Sequence, residues 1–244
     1  MKLIVKENYE DLSMEAAKII ESQVRQKSNS VLGLATGSTP LGTYRELVRM
    51  HKEEGLSFKD VTSFNLDEYI GLDENHESSY VYFMKENLFK WIDLKPENAF
   101  VPNGRAKNLI EYGKEYDQMI LDRGGIDLQV LGIGSNGHIA FNEPAESLSL
   151  WTTVVELTDQ TIKDNSRFFE DIKDVPTKAI TMGIGSIMKA KKIILLVNGK
   201  NKAEILATII NKSSINTRVP ASILFLHRDF TIICDKEAYS LLSD

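Results

Sequence analysis

The 244-residue sequence contains one cysteine, Cys234, which excludes a disulfide framework and any zinc site built on thiolates. Its six prolines are scattered, so no proline-rich linker divides the chain. Long apolar runs are missing. The longest clean one, Ile193–Val197, is five residues, against the ~20 needed to span a bilayer. The apolar patch near Met1 is too short for a signal peptide. Basic residues are in deficit, 29 Lys and Arg against 35 Asp and Glu for a net charge of −6. With no long basic run, this argues against nucleic acid as a partner. No histidines and carboxylates recur at metal-ligand spacing, so no metal is expected. These absences point to a soluble, cytoplasmic protein of a reducing compartment, with no membrane association.

What is present is ordinary globular composition, 42% hydrophobic and 26% charged, in a chain long enough to bury ~70% of its unfolded surface. Short apolar runs alternate with amphipathic stretches throughout. Leu3–Val5, Val31–Ala35, Val61–Leu66, Ala99–Val101 and Ile126–Leu131 read as strands, as do Thr153–Leu157, Ala179–Met182, Lys192–Val197 and Phe230–Cys234. Helical spacing covers Leu12–Gln26, Leu41 to about Glu53, Ser79–Trp91, Leu109–Asp122, Asp159–Phe169, Lys202–Asn211 and the C-terminal segment. Continuous apolar strands separated by helices predict an α/β fold. We read one doubly wound, mainly parallel, Rossmann-like sheet with helices on both faces, a single domain over 1–244. The rhythm is weakest between Glu143 and Pro176, where a lid is expected within 143–176.

Ligands of such sheets sit outside the carboxyl ends of the strands, and three loops there carry chemistry. In Thr36-Gly37-Ser38-Thr39-Pro40, Thr39 is a natural N-cap and Pro40 suits the first helical position. Free amides around Gly37 could cradle a phosphate, or the segment could be a plain strand-to-helix turn. Ser63–Tyr69 places Asp67 and Glu68 where a buried strand leaves the core. A carboxyl group there could transfer protons if burial raised its pKa, or it could be a turn carboxylate. Gly132–Pro144 opens with the dinucleotide fingerprint G-x-G-x-x-G, but Pro144 follows soon and no helical period comes after His138, so a nicotinamide site is not expected. What remains is a glycine-rich loop presenting His138 and, five residues on, Glu143, a carboxylate able to hold an imidazole's tautomer.

Two later cations complete the set. Arg167 stands beside Phe168 and Phe169 on a predicted helix, and Lys202 opens the helix running to Asn211. A cation in a helix's first turn opposes the macrodipole unless an anion lies between them; either residue could also be a solvated surface charge. His51, His76 and His227 read as surface or structural.

Thr-Gly-Ser-Thr-Pro, Phe-Asn-Leu-Asp-Glu-Tyr, Gly-His-Ile-Ala-Phe-Asn-Glu-Pro and Asn-Ser-Arg-Phe-Phe, in this order, resemble the glucosamine-6-phosphate deaminase family over nearly the whole chain. The Gly137–Pro144 stretch is the most specific. The resemblance implies conversion of glucosamine 6-phosphate and water to fructose 6-phosphate and ammonia, without metal or organic cofactor, and a small sugar phosphate as the partner. It implies Asp67 as the base moving a proton between carbons 2 and 1, and His138 as the ring-opening group. Glu143 would tune that histidine, and Asn136, an aspartate in some members, could only orient it. Gly37, Ser38, Thr39, Arg167 and Lys202 would hold the phosphate.

Regulated hexameric members carry a serine just after the Asn-Glu-Pro turn, with basic residues beyond. Here Glu146, Thr153 and Val155 occupy that stretch, so a monomer without the allosteric N-acetylglucosamine 6-phosphate site is expected. The alternatives are 6-phosphogluconolactonase, which resembles this chain at the strand-end acid and the Gly-His loop, and a non-catalytic sugar-phosphate sensor.

Overall fold

Val31–Leu34 (β2) and Leu128–Leu131 (β6) are buried along their whole length, as is Lys192–Val197 (β9) beyond its first residue. Such strands need cover on both faces, and helices provide it. The computed structural model describes residues 1–211 and 214–242. Around those three strands, Lys2–Lys6 (β1), Thr62–Asn65 (β3), Ala99–Phe100 (β5) and Phe230–Asp235 (β10) complete a seven-stranded sheet in the order β1-β10-β9-β6-β2-β3-β5. Every pairing in it is parallel.

Tyr9–Gln26 (α1), Leu41–Glu54 (α2) and Tyr80–Asn87 (α3) cover one face. Their Ile20, Leu47 and Met84 pack on the β2, β6 and β9 residues Leu34, Val130 and Leu196. Leu109–Asp122 (α4), Ile184–Met188 (α6) and Ala203–Asn211 (α7) cover the other, where Tyr116, Ile187 and Leu206 meet Phe64, Leu131 and Leu195. Lys236–Tyr239 (α8) supplies the short C-terminal helix. No helix among the described residues is long and apolar enough to cross a membrane.

Strand order reverses at β2 and β6, neighbours in space whose chains continue to opposite edges. A crevice outside the carboxyl ends is expected there, and it falls between the Thr36–Pro40 and Gly132–Gly137 loops.

A second sheet was not anticipated. Asp67–Tyr69 (β4), Thr153–Glu156 (β7) and Lys178–Thr181 (β8) form an antiparallel sheet in the order β4-β8-β7. The segments at 153–157 and 179–182 are therefore strands, as their apolar runs indicate, but outside the parallel sheet. The Glu143–Pro176 region holds β7 and a short helix, Asp159–Asn165 (α5), followed by a 3-10 turn at Ser166–Phe168. The helix predicted to reach Phe169 thus tightens at Asn165. The helix predicted over Ser79–Trp91 likewise ends at Asn87, with a 3-10 turn beyond.

Candidate active site

Four adjacent strands, β9, β6, β2 and β3, deliver their carboxyl-end loops to one cleft of ≈ 740 Å³. Gly37, Ser38, Thr39, Asp67, His138, Arg167 and Lys202 all line it. The other two site residues marked in the sequence, Asn136 and Glu143, stand behind His138.

Asp67 is held by β4. It pairs with Thr181 of β8, and the Thr181 hydroxyl accepts the Phe141 N–H at 3.1 Å. Asn142 adds bonds from its amide to the Ile139 and Met182 carbonyls, at 3.1 and 2.9 Å. The small sheet thereby fastens the Gly-His-Ile-Ala-Phe-Asn stretch to the strand that carries Asp67. Asp67 is only 6% exposed. Burial, with the charge of Glu68 adding to it, pushes its carboxyl group up to about 8. Glu68 plays a different part, since its carboxylate accepts the backbone amides of Tyr69, Tyr80 and Val81 at 2.8–3.1 Å and so caps α3.

No helix follows the G-x-G-x-x-G segment before β7, in keeping with the rejection of a dinucleotide loop. Gly134 is needed for a different reason. A Cβ there would lie 2.2–2.4 Å from the His138 ring, so the imidazole occupies the space a side chain would take. His138 Nδ1 faces Glu143 Oε2 at 3.5 Å. The same Oε2 accepts the Asn136 amide at 2.8 Å, while Asn136 Oδ1 accepts the His138 backbone N–H at 3.1 Å. The Thr161 hydroxyl of α5 donates to Glu143 Oε1. Burial would raise the Glu143 carboxyl group, but His138, Thr161 and Asn136 together hold it down at about 2. Asn136 therefore reaches the imidazole through Glu143 and the backbone, not by touching the ring.

The Thr36–Pro40 loop departs from the predicted cap. Pro40, not Thr39, is the N-cap of α2, without a side-chain bond. The Thr39 hydroxyl donates instead to Asn198 Oδ1 at 2.8 Å, which ties the β2 and β9 loops together. Tyr9 takes over the cap: its hydroxyl accepts the Gly42 N–H at 2.8 Å and lies 3.0 and 3.1 Å from the Ser38 and Thr39 carbonyls. Gly37 turns the loop at φ +94°, a conformation that favours glycine.

Arg167 lies on the 3-10 turn after α5, where its guanidinium donates to Ser38 Oγ at 3.3 Å. Lys202 stands on the turn just before α7, not in its first turn. Burial lowers its ammonium below the ordinary value; Asp164 opposes this shift and Arg167 adds to it. A half-buried lysine near a guanidinium favours an anion between them.

Tyr9, Thr161 and Asn198 carry no signal in the sequence that marks them for the site. The other histidines are structural, as expected, at two positions: His227 is buried between the Ala190 and Asp229 carbonyls, and His51 bonds to the Leu56 carbonyl.

With this geometry in view, the profile of the family described as glucosamine-6-phosphate isomerases/6-phosphogluconolactonase matches residues 6–233. The chain belongs to this family. Among isomerase-type members, it is 56% identical over 244 residues to a glucosamine-6-phosphate deaminase of Thermoanaerobacter sp. (strain X514), covering 100% of this chain and 96% of the relative. It is 52% identical over 242 residues to the glucosamine-6-phosphate deaminase of Clostridium perfringens (strain 13 / Type A), covering 99% and 100%. A solved monomeric glucosamine-6-phosphate deaminase superposes with a TM-score of 0.95 at 46% identity, covering 99% of this chain and 100% of that one. The lactonase branch shares the fold: 6-phosphogluconolactonase from Trypanosoma cruzi superposes with a TM-score of 0.77 at 22% identity, covering 100% and 97%.

Proposed function

We infer that the chain is a glucosamine-6-phosphate deaminase, an enzyme that converts glucosamine 6-phosphate and water to fructose 6-phosphate and ammonia. The observation that carries the mechanism is a buried carboxyl group, Asp67, sharing one cleft with the His138–Glu143 pair and with two cations. The Gly37–Thr39 loop, Arg167 and Lys202 bind the phosphate, whose binding energy places carbon 2 against Asp67.

His138 relays the proton that opens the pyranose ring. Glu143, ionised at neutral pH, faces Nδ1 and fixes the ring's orientation, and Asn136 holds Glu143. Asp67 then takes the proton from carbon 2 of the open-chain aldehyde and returns it to carbon 1, while one proton of the ammonium passes to the carbon-1 oxygen, leaving an iminium at carbon 2. Water adds to that carbon and ammonia departs, which leaves the ketose. Each proton transfer is accelerated ~10²–10⁴-fold by one positioned group. Burial makes Asp67 favour its neutral form, and the substrate's own ammonium, arriving beside it, favours the carboxylate. These residues need no cofactor for their steps.

Segment 143–176 acts as a lid. Its α5 and the following turn bring Asp164, Arg167 and Phe168 to the cleft wall. The protein works as a cytoplasmic monomer without an N-acetylglucosamine 6-phosphate site. The exposed Glu146 carboxylate, 3.6 Å from Arg218, puts a negative charge just past the Asn-Glu-Pro turn, where a phosphate would be repelled.

Ammonia and fructose 6-phosphate released from glucosamine 6-phosphate by the purified protein test this reading. Absence of ammonia together with hydrolysis of 6-phosphogluconolactone would overturn it in favour of the lactonase. Inertness toward both, with binding retained, would favour a sensor. Hyperbolic kinetics unmoved by N-acetylglucosamine 6-phosphate are expected; a sigmoidal curve shifted by it would reject the monomeric, unregulated form.

A further inference from the structure

Glu143 uses its two carboxylate oxygens differently. Oε2 receives the Asn136 amide and faces the imidazole, whereas Oε1 is taken by one group, the Thr161 hydroxyl. Thr161 is 2% exposed and sits in the first turn of α5, where its backbone N–H is capped by Thr158 Oγ1 at 3.2 Å. The Thr158 hydroxyl also donates to Thr161 Oγ1 at 3.2 Å, so the Thr161 proton is directed away from its own helix and onto the carboxylate. One turn later, Asp164 accepts the Ser135 hydroxyl at 2.8 Å. Two side-chain bonds therefore join α5 to the loop that presents His138.

We propose that Thr161 is a positioning residue for the reaction: its hydroxyl, bonded to one oxygen, fixes the plane of the Glu143 carboxylate so that the other oxygen stays directed at His138 Nδ1. The inference rests on the deaminase reading for its kinetic consequence, but its structural part stands without it. A carboxylate anchored only through Asn136 would be free to turn, since one bond leaves rotation about the terminal torsion soft. Bonds at both oxygens remove that freedom, in the manner of the outer groups that orient ligating and catalytic imidazoles. Asp67, Glu77, Asp164, Arg167 and Lys202 also face the cleft. Among the described residues none of these bonds to Glu143, so none substitutes for Thr161. Because Thr161 belongs to α5, the histidine's orientation is also coupled to the segment that carries Arg167.

The test compares Thr161→Val, which keeps the branched shape and deletes the hydroxyl, with Thr161→Ser, which keeps the hydroxyl. Thr161→Val should lower kcat on the order of tenfold with KM within about twofold, and Thr161→Ser should restore most of it. In the ligand-free protein, imidazole ¹⁵N shifts at neutral pH should place the His138 proton on Nδ1 in wild type and Thr161→Ser. In Thr161→Val they should show mixed tautomers. An unchanged tautomer and unchanged kcat in a folded Thr161→Val protein would overturn the proposal. If the wild-type protein releases no ammonia while Thr161→Val still shows the tautomer change, the deaminase reading fails and the positioning role stands.

Discussion

Asp67 and Glu68 are adjacent carboxyl groups with opposite employment: Glu68 spends both oxygens on backbone amides at the start of α3, and Asp67 keeps its oxygens for the cleft. Burial raises the pKa of both, but only Glu68 receives backbone bonds that offset part of the penalty. Asp67→Asn should therefore lose ammonia release by ~10³-fold while making the protein more stable. The Asp67 pKa is raised in the folded state, so its contribution to stability is full below the unfolded value near 3.8. That contribution is lost as pH climbs to about 8. Thermal melts of the two proteins should coincide near pH 4 and diverge with pH. The Asp67→Asn protein should lead at pH 8 by about 2 kcal/mol or more, roughly 5 °C for a domain of this size. Equal melting temperatures across that range would mean that Asp67 is not the buried acid described.

The same shift sets the pH dependence of turnover. A base must be ionised to accept the carbon-2 proton, so kcat/KM, which reports the free enzyme, should rise with pH, pass half its maximum at about 8 and level off only above that. An ordinary carboxylate would be flat above pH 5. A rate profile with no limb between pH 6 and 8 would remove Asp67 from the role of base.

At the other side of the cleft, charge is the testable quantity. Lys202 is half-buried, and its ammonium is disfavoured by burial and by Arg167, so a bound phosphate relieves both. Lys202→Met should raise KM and weaken competitive inhibition by inorganic phosphate, each by about tenfold, or ~1.4 kcal/mol. Arg167→Lys should weaken binding as well, because an ammonium cannot offer the planar fork that reaches Ser38 and a phosphate together. Phosphate inhibition unchanged in both variants would place the anion elsewhere.

The parallel sheet was legible because its central strands, β2, β6, β9 and β10, are buried on both faces and so appear as largely apolar runs between amphipathic helices. The small antiparallel sheet was not. Asp67-Glu68-Tyr69 has no apolar alternation, and its burial comes from pairing with β8, more than a hundred residues away in the chain. The candidate site divides the same way. His138 and Glu143 could be paired on paper because five residues separate them in a glycine-rich loop. The groups that hold the site together meet across longer separations, Thr161 with Glu143 at 18 residues, Tyr9 with Gly42 at 33 and Thr39 with Asn198 at 159. No local pattern signals such contacts. Thr39 shows the cost of local reasoning: a good N-cap by type, it is drawn off by Asn198 across the crevice.

The vacancy Thr39 leaves gives Tyr9 a role that extends to binding. The single Tyr9 hydroxyl accepts the Gly42 N–H and donates toward the Ser38 and Thr39 carbonyls, so it pins those carbonyls on the side of the loop that faces α1. Peptide planarity then couples carbonyl direction to the direction of the amides that follow, and the turn proposed to meet the phosphate is set from behind. Tyr9→Phe keeps the ring and deletes these bonds, leaving the Gly42 N–H without its acceptor. The expected cost is about 1 kcal/mol of stability, roughly 2–4 °C in melting temperature. With it should come a several-fold higher KM and weaker inhibition by inorganic phosphate, at nearly unchanged kcat. A lower melting temperature with wild-type KM would reduce Tyr9 to a helix cap, and no change in either would mean that the loop holds its shape without it.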